Sequence, residues 1–300
     1  MKARYGTGSP KRAPPFGPCR HPGPTEQRAG APRGLPRLIA TDLDGTLSGA
    51  SLGVSRRNAL ALDRAAAAGA TIVLVTGRSL RKLSLVYADL GAPYPAICAN
   101  GAVVYDPTAD VVRTCQPMES ADVREVCLRL RQRVPDVVFA AEVDFGRRLL
   151  HEPQWPILHD AGNAAFPVGL AELTSTPVVK LMARAPGRDS DSFNKLVTGT
   201  VADLVEATRP GYGGLVEMTR RGVTKATALA ALAEELGIPP IDVLAFGDMP
   251  NDVSMLRWAG RSVAVANAHA EARAAAAETT LSNIDDGVAA YLEDLLARLS

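Results

Sequence analysis

Aromatic residues make up only 5% of this 300-residue chain, so its core is expected to be built from Leu, Val, Ile and Ala. Long apolar stretches are also missing. The longest uncharged apolar run, Ala65 to Val75, is about half of what a membrane-spanning helix needs. The basic N-terminus is followed by no apolar segment of the kind that marks a secretory signal. Cysteine is sparse. Cys19, Cys98, Cys115 and Cys127 form no CxxC pair, which argues against a zinc site. Reduced thiols and a cytoplasmic setting are therefore expected. Strong charge of one sign is absent too, the net charge being +1. Residues 1–37 hold eight of the 33 basic residues and only one of the 32 acids, Glu26, so the rest of the chain is mildly acidic. That balance does not suit a nucleic-acid footprint, and neither nucleic acid nor a membrane is expected as a partner.

What is abundant is ordinary for a globular protein: 47% hydrophobic and 22% charged residues. Residues 1–34 carry seven Pro and six Gly with few large apolar side chains. Such a segment cannot bury enough surface to offset its ordering entropy, so it is expected to be a disordered tail. From Leu38 onward, short apolar runs alternate with helical patterns: Leu38-Ile39-Ala40-Thr41, a helix over about 56–68 capped by Ser55, Thr71–Val75, a helix over about 79–90, then Ala96–Ala99. This rhythm predicts a doubly wound α/β core with a parallel sheet. The middle differs. A helix over about 120–133, strands at Val137–Ala140 and Val178–Met182 and a helix over about 189–200 predict an α+β insert at 117–212. The α/β rhythm resumes after Gly213-Gly214, so the core is assigned to 35–116 and 213–300.

Four polar clusters follow predicted strands or open predicted helices. Asp42-Leu43-Asp44-Gly45-Thr46 places two carboxylates at the carboxyl end of the first strand, where open α/β sheets bind ligands. Carboxylates so close need a cation or a proton between them. The pairing suits a division of labour in which Asp42 attacks phosphorus and Asp44 shuttles a proton. Thr76-Gly77-Arg78 offers a hydroxyl and backbone N–H groups, and Lys225 sits at a helix N-terminus, where a cation calls for an anionic partner. Gly247-Asp248-Met249-Pro250-Asn251-Asp252 adds carboxylates fit for Mg²⁺, which prefers oxygen ligands. Each cluster alone also fits a plain capping turn. Together they supply a nucleophile, a proton shuttle, a metal site, a hydroxyl and a cation, the inventory of phosphoryl transfer.

From about Leu38 to its end the chain resembles the haloacid dehalogenase superfamily, specifically the Cof-type phosphatases with a type IIB cap. The resemblance is carried by Asp42–Leu47, Val75–Arg78, Gly222–Lys225 and Gly247–Asp252, with Asn100-Gly101-Ala102 and Val265–Ala268 as supporting loops. Ala266 departs from the Gly that relatives often have there. The resemblance implies that Asp42 is the nucleophile and Asp44 the general acid/base. It implies Mg²⁺ held by Asp42, the backbone carbonyl of Asp44 and Asp248. It also implies phosphate held by the Leu43 N–H, Thr76, Gly77, Lys225 and Asn251, with Asp252 bracing the metal shell or Lys225. The expected activity is Mg²⁺-dependent hydrolysis of a small phosphorylated metabolite, by a monomer or small homo-oligomer. Phosphotransfer as in a phosphomutase, a narrow mannosyl- or glucosyl-phosphoglycerate phosphatase, and a binding module on the same fold remain alternatives. His151 and His159, flanking Trp155, are further candidates for substrate contact, packing being the commoner fate of such histidines, and Glu217 and Arg220 are candidates for the cap hinge or a rim contact.

Overall fold

The computed structural model describes residues 34–49, 53–156, 164–209 and 214–299. The expected tail falls outside the described residues up to residue 33, as do Cys19 and His159. Strand β1 (Leu38–Thr41) is buried over its whole length because both of its faces are covered. Helix α1 (Arg56–Ala67) follows, its N-terminus capped by the Ser55 side chain, which accepts from the Asn58 N–H. Strand β2 (Thr71–Val75), helix α2 (Ser84–Leu90) and strand β3 (Ala96–Cys98) continue the α/β alternation. The single helix predicted at 79–90 is two pieces, a 3₁₀ turn at Leu80–Lys82 and then α2. Leu80, Leu83 and Val86 all enter one core cluster, and a three-residue spacing keeps them on one face when the first turn is 3₁₀.

Strands β4 (Val103–Asp106) and β5 (Val111–Cys115) form an antiparallel hairpin that the sequence reading left out. The middle of the chain holds α3 (Ser120–Arg133), β6 (Val138–Val143), β7 (Arg148–His151), β8 (Ala165–Pro167), α4 (Leu170–Leu173), β9 (Lys180–Arg184), α5 (Ser190–Val201), β10 (Val205–Thr208) and β11 (Leu215–Arg220). The predicted strand at Val178–Met182 starts later, at Lys180, because Val178 pairs instead with Met118 in an isolated bridge. The chain then returns through α6 (Lys225–Glu235), β12 (Val243–Gly247), α7 (Val253–Trp258), β13 (Arg261–Ala264), α8 (Ala270–Ala275), β14 (Glu278–Thr279) and α9 (Gly287–Ala297).

The first sheet has eight strands in the order β14-β13-β12-β1-β2-β3-β4-β5. It is parallel from β14 to β3, and the hairpin adds the antiparallel edge. Alternate residues of its strands feed opposite cores. Ile39, Ile72, Leu74 and Leu244 pack with α1 and α9 residues such as Leu62 and Leu292. Leu38, Ala40, Val73 and Val243 pack with α6 and α7 residues such as Leu229 and Met255. Burial on both faces is why these strands read as unbroken apolar runs.

The second sheet has six strands in the order β10-β11-β9-β6-β7-β8. One face packs on α3 and α5 through Val126, Leu130, Phe139, Phe193 and Val197. Its β11 runs to Arg220, beyond residue 212, where the sequence had placed the return to the first sheet. Val216 and Met218 explain the difference, because both are buried in this second core. Among the described residues no helix is long and apolar enough to cross a membrane.

Phe193 is fully buried between α5 and the second sheet. Phe193→Ala is expected to lower stability by about 3–5 kcal/mol, the usual cost of truncating a buried aromatic side chain. Urea unfolding followed by far-UV circular dichroism measures it, and a loss below about 1 kcal/mol would contradict this packing.

Candidate active site

The register of the first sheet brings the polar clusters together. Thr41 of β1 pairs with Phe246 of β12 on one side and Leu74 of β2 on the other. Asp42, Asp248 and Thr76 therefore leave three adjacent parallel strands at the same, carboxyl end. The Asp42 N–H donates to the Phe246 carbonyl at 3.0 Å, and the Thr76 N–H to the Ile97 carbonyl at 2.8 Å. The loop after β1 then turns sharply, with the Leu47 N–H reaching the Asp42 carbonyl and the Ser48 N–H the Leu43 carbonyl. Leu43 buries its side chain beneath this loop. Gly45 has φ +82°, and a Cβ there would lie 2.4 Å from Asp248 Oδ2, so only glycine fits.

At the centre stands Lys225, the first residue of α6, 1% exposed. Thr224 caps that helix in a capping box with Thr227. The Lys225 ammonium donates to Asp42 Oδ1 and to Asp252 Oδ1, each at 2.6 Å. Asp252 Oδ2 accepts the N–H groups of Asp248 and Met249 at 3.1 and 2.9 Å. Both oxygens of Asp252 are thus engaged by the protein. Asp248 Oδ1 accepts from Thr46 Oγ1 at 2.8 Å. Asn267 reaches across to the Gly45 carbonyl at 2.8 Å and fixes the loop from the other side.

The electrostatics are unbalanced. Carboxylate oxygens of Asp42, Asp248 and Asp252 lie within 4.8 Å of one another, and all three residues are buried. Burial pushes the Asp42 carboxyl well above the usual range, against the pull of Lys225, with Asp252 and Asp248 adding to the rise. Burial and then Asp252 push Asp248 up to about 6. Burial alone would lower Lys225, but Asp252 and Asp42 outweigh it and hold the ammonium above its ordinary value. Three carboxylates against one ammonium leave two negative charges unmatched, the charge of one divalent cation. The donor set is all oxygen, as Mg²⁺ requires. With both oxygens of Asp252 already engaged by the protein, Asp42 and Asp248 are the side chains with more capacity left for a metal.

Asp44 stands outside this cluster of three. Arg78 grips it in a two-pronged ion pair, with Nε at 2.9 Å from Oδ2 and Nη2 at 2.6 Å from Oδ1. Thr76 is fully buried, and its hydroxyl accepts the Arg78 N–H at 2.9 Å. Asn251 Nδ2 donates to Asn100 Oδ1 at 3.0 Å, while Asn251 Oδ1 is buried without a hydrogen-bond partner. A cavity of about 240 Å³ opens beside Lys225 and Asn251, lined also by Asn100, Thr208, Glu206 and Arg257. Thr208 and Glu206 belong to β10, so the second sheet forms one wall. Buried charges fasten that sheet to the first: Arg81 donates to Glu142 at 3.0 Å and Lys180 to the Gly77 carbonyl at 2.7 Å.

All nine residues singled out from the motifs lie around this one sheet edge. Sequence reasoning did not assign a role to Arg78, Thr46 or Lys180. Arg78 and Thr46 sit inside the quoted motifs. Lys180 had a signal as well, a charged residue inside the apolar run Val178–Met182, where burial demands a partner. Glu217 is buried rather than at a rim, whereas Arg220 is exposed. His151 is buried, with Nδ1 against the Glu152 carbonyl at 2.9 Å.

Mg²⁺ is expected to raise the thermal midpoint of the protein, by an amount equivalent to about 2.7 kcal/mol at a hundredfold excess over its dissociation constant. Gly45→Ala, which drives a methyl into Asp248, is expected to lose most of that rise. Differential scanning fluorimetry with and without Mg²⁺ reads both, and an equal rise in the variant would contradict the placement of Asp248.

Comparison with known proteins places the chain in a family. The model of a family described as haloacid dehalogenase-like hydrolase matches residues 39–292. The phosphatase YwpJ of Bacillus subtilis is 30% identical over 288 residues, covering 87% of this chain and 100% of that protein. The 5-amino-6-(5-phospho-D-ribitylamino)uracil phosphatase YitU, also of Bacillus subtilis, is 28% identical over 276 residues, covering 86% and 97%. The crystal structure of a haloacid dehalogenase-like hydrolase from Bacteroides thetaiotaomicron superposes with a TM-score of 0.70 at 25% identity, over 86% of this chain and 99% of that one. The match to the family model spans most of the chain, both sheets included, and the chain belongs to the haloacid dehalogenase-like hydrolase family.

Proposed function

We propose that this protein is a Mg²⁺-dependent phosphatase that hydrolyses small phosphomonoesters, such as sugar phosphates, through a phosphoryl group carried on Asp42. The observation that carries the reading is the buried Asp42 carboxylate, held at 2.6 Å by Lys225 at the carboxyl end of the central strand, beside Asp248. The names of the curated relatives, phosphatases among them, support hydrolysis over transfer to a second substrate.

In the first half-reaction an Asp42 oxygen attacks phosphorus, the bond to the leaving oxygen breaks, and Asp44 gives that oxygen its proton. In the second, Asp44 takes a proton from water as the water oxygen attacks phosphorus, which releases inorganic phosphate and restores Asp42. Asp44 must swing free of Arg78 to serve in both halves, since the ion pair occupies both of its oxygens. The N–H of Leu43, Thr76, Gly77, Lys225 and Asn251 hold the phosphoryl oxygens. Asp252 keeps Lys225 and the loop carrying Asp248 in place. Magnesium held by Asp42, the Asp44 carbonyl and Asp248 would neutralise the charge that builds on the transferring group. The second sheet, docked over the cleft, excludes bulk water from the phosphorylated enzyme. Among the described residues the cysteines, Cys98, Cys115 and Cys127, are free, which fits a reducing, cytoplasmic setting.

Phosphate release from a panel of small phosphomonoesters tests the reading. Wild type is expected to release phosphate only with Mg²⁺, and Asp42→Asn to fall to background. Release that persists in purified Asp42→Asn would remove Asp42 as nucleophile.

A further inference from the structure

Two buried charges on the second sheet take no part in the chemistry above. Lys180 on β9 is 4% exposed and Glu217 on β11 is 8% exposed. Their side chains meet at 2.6 Å. Burying such a pair costs desolvation that apolar residues would avoid. The same face of the sheet does use apolar residues nearby, with Ala140, Leu149 and Met182 forming a small cluster of their own. The pair is therefore not explained by packing.

Each partner reaches across to the first sheet, and each reach ends on a residue of the phosphate site. The Lys180 ammonium donates to the Gly77 carbonyl at 2.7 Å. Glu217 Oε2 accepts from Asn100 Nδ2 at 2.8 Å, and Asn100 Oδ1 accepts from Asn251 Nδ2 at 3.0 Å. The polarity of this chain is fixed at one end only. A carboxylate can only accept, so Glu217 selects the face of the Asn100 amide turned towards it. The Asn100 oxygen then selects the orientation of the Asn251 amide. The Asn251 NH₂ carries two hydrogens, one given to Asn100 and the other left for a phosphate oxygen; without that instruction either amide can turn over and carry this donor away. The backbone around Asn100 is strained to allow this placement, with φ +49° at Ala99 and +55° at Asn100. Space is tight as well. A Cβ at Gly77 would lie 3.1 Å from Asn100 Oδ1 and 3.3 Å from Glu217 Oε2.

We propose that Lys180 and Glu217 are a positioning pair that sets the Gly77 peptide and, through Asn100, the Asn251 amide, so that the phosphate-binding groups align only while the second sheet is docked. The inference rests on Asn251 and Gly77 binding phosphate, as proposed above.

Glu217→Gln is the direct test, because it keeps shape but loses the acceptor-only character. With p-nitrophenyl phosphate and Mg²⁺, kcat/KM is expected to fall about 10–100-fold, the scale of a small misplacement of binding groups, and inhibition by inorganic phosphate to weaken in parallel. Because Glu217→Gln leaves the Lys180 charge buried without its partner, its thermal midpoint is expected to fall, and kinetics are read at a temperature where far-UV circular dichroism shows it folded. The double variant Lys180→Met with Glu217→Gln, which removes both charges together, is measured beside it. In the Asn251→Ala background Glu217→Gln should change kcat/KM by less than about twofold, since Glu217 acts through Asn100 on Asn251 while Lys180 still holds the Gly77 carbonyl. Fully multiplicative losses, or Glu217→Gln kinetics within twofold of wild type, would overturn the positioning role alone. Wild-type kinetics in Asn251→Ala would overturn the phosphate-ligand reading itself, and this inference with it.

Discussion

The contact on which the site depends is the Lys225 ammonium lodged between Asp42 and Asp252 at 2.6 Å from each. It brings together the end of β1, the start of α6 and the turn after β12, three segments far apart in sequence. Removing any partner would leave a buried charge unmatched, a cost of about 3–5 kcal/mol for such pairs. Even with Lys225 in place the cluster keeps more negative charge than positive. That deficit is built into the fold, and in the proposed function a divalent cation answers it. A lysine at a helix N-terminus, unfavourable alone, becomes favourable here because the anions lie directly before it.

The geometry follows from sheet register. Parallel pairing of Thr41 with both Leu74 and Phe246 puts three loop starts side by side. The apolar character of β1, β2 and β12 is therefore more than a core requirement. Burial on both faces fixes the register, and a slip of one residue would turn Asp42 from the cleft towards a core. Polar contacts across the cleft do the matching task for the second sheet. Arg81 with Glu142, and Lys180 with the Gly77 carbonyl, place a wall of that sheet over the cavity beside Lys225.

The parallel part of the first sheet was legible because its strands are short apolar runs ending in turn residues. The motif residues were legible because each follows such a run or opens a helix. The hairpin β4–β5 was not, since Val111, Arg113 and Thr114 of β5 are exposed and only Val112 and Cys115 of that strand pack on the core, half-buried. The second sheet was harder still. Its strands are 3 to 6 residues long, and its central pairings, β6 with β9 and β9 with β11, join segments well separated in sequence, so local pattern carries little of them. The same cause hid Lys180 and the buried partners of Glu217. The meaning of the two charges lies in contacts with Gly77 and Asn100, more than 100 residues away, and no local spacing signals a pair of that kind.

The central claim is that Asp42 carries the phosphoryl group in a covalent intermediate. Acid quench of the enzyme during turnover, borohydride reduction and peptide mass spectrometry test it most directly. Conversion of Asp42, and of no other carboxylate, to homoserine in a substrate-dependent manner is the expected result. A phosphoryl group trapped on another residue, or turnover that proceeds with Asp42 unmodified and with inverted configuration at phosphorus, would contradict it.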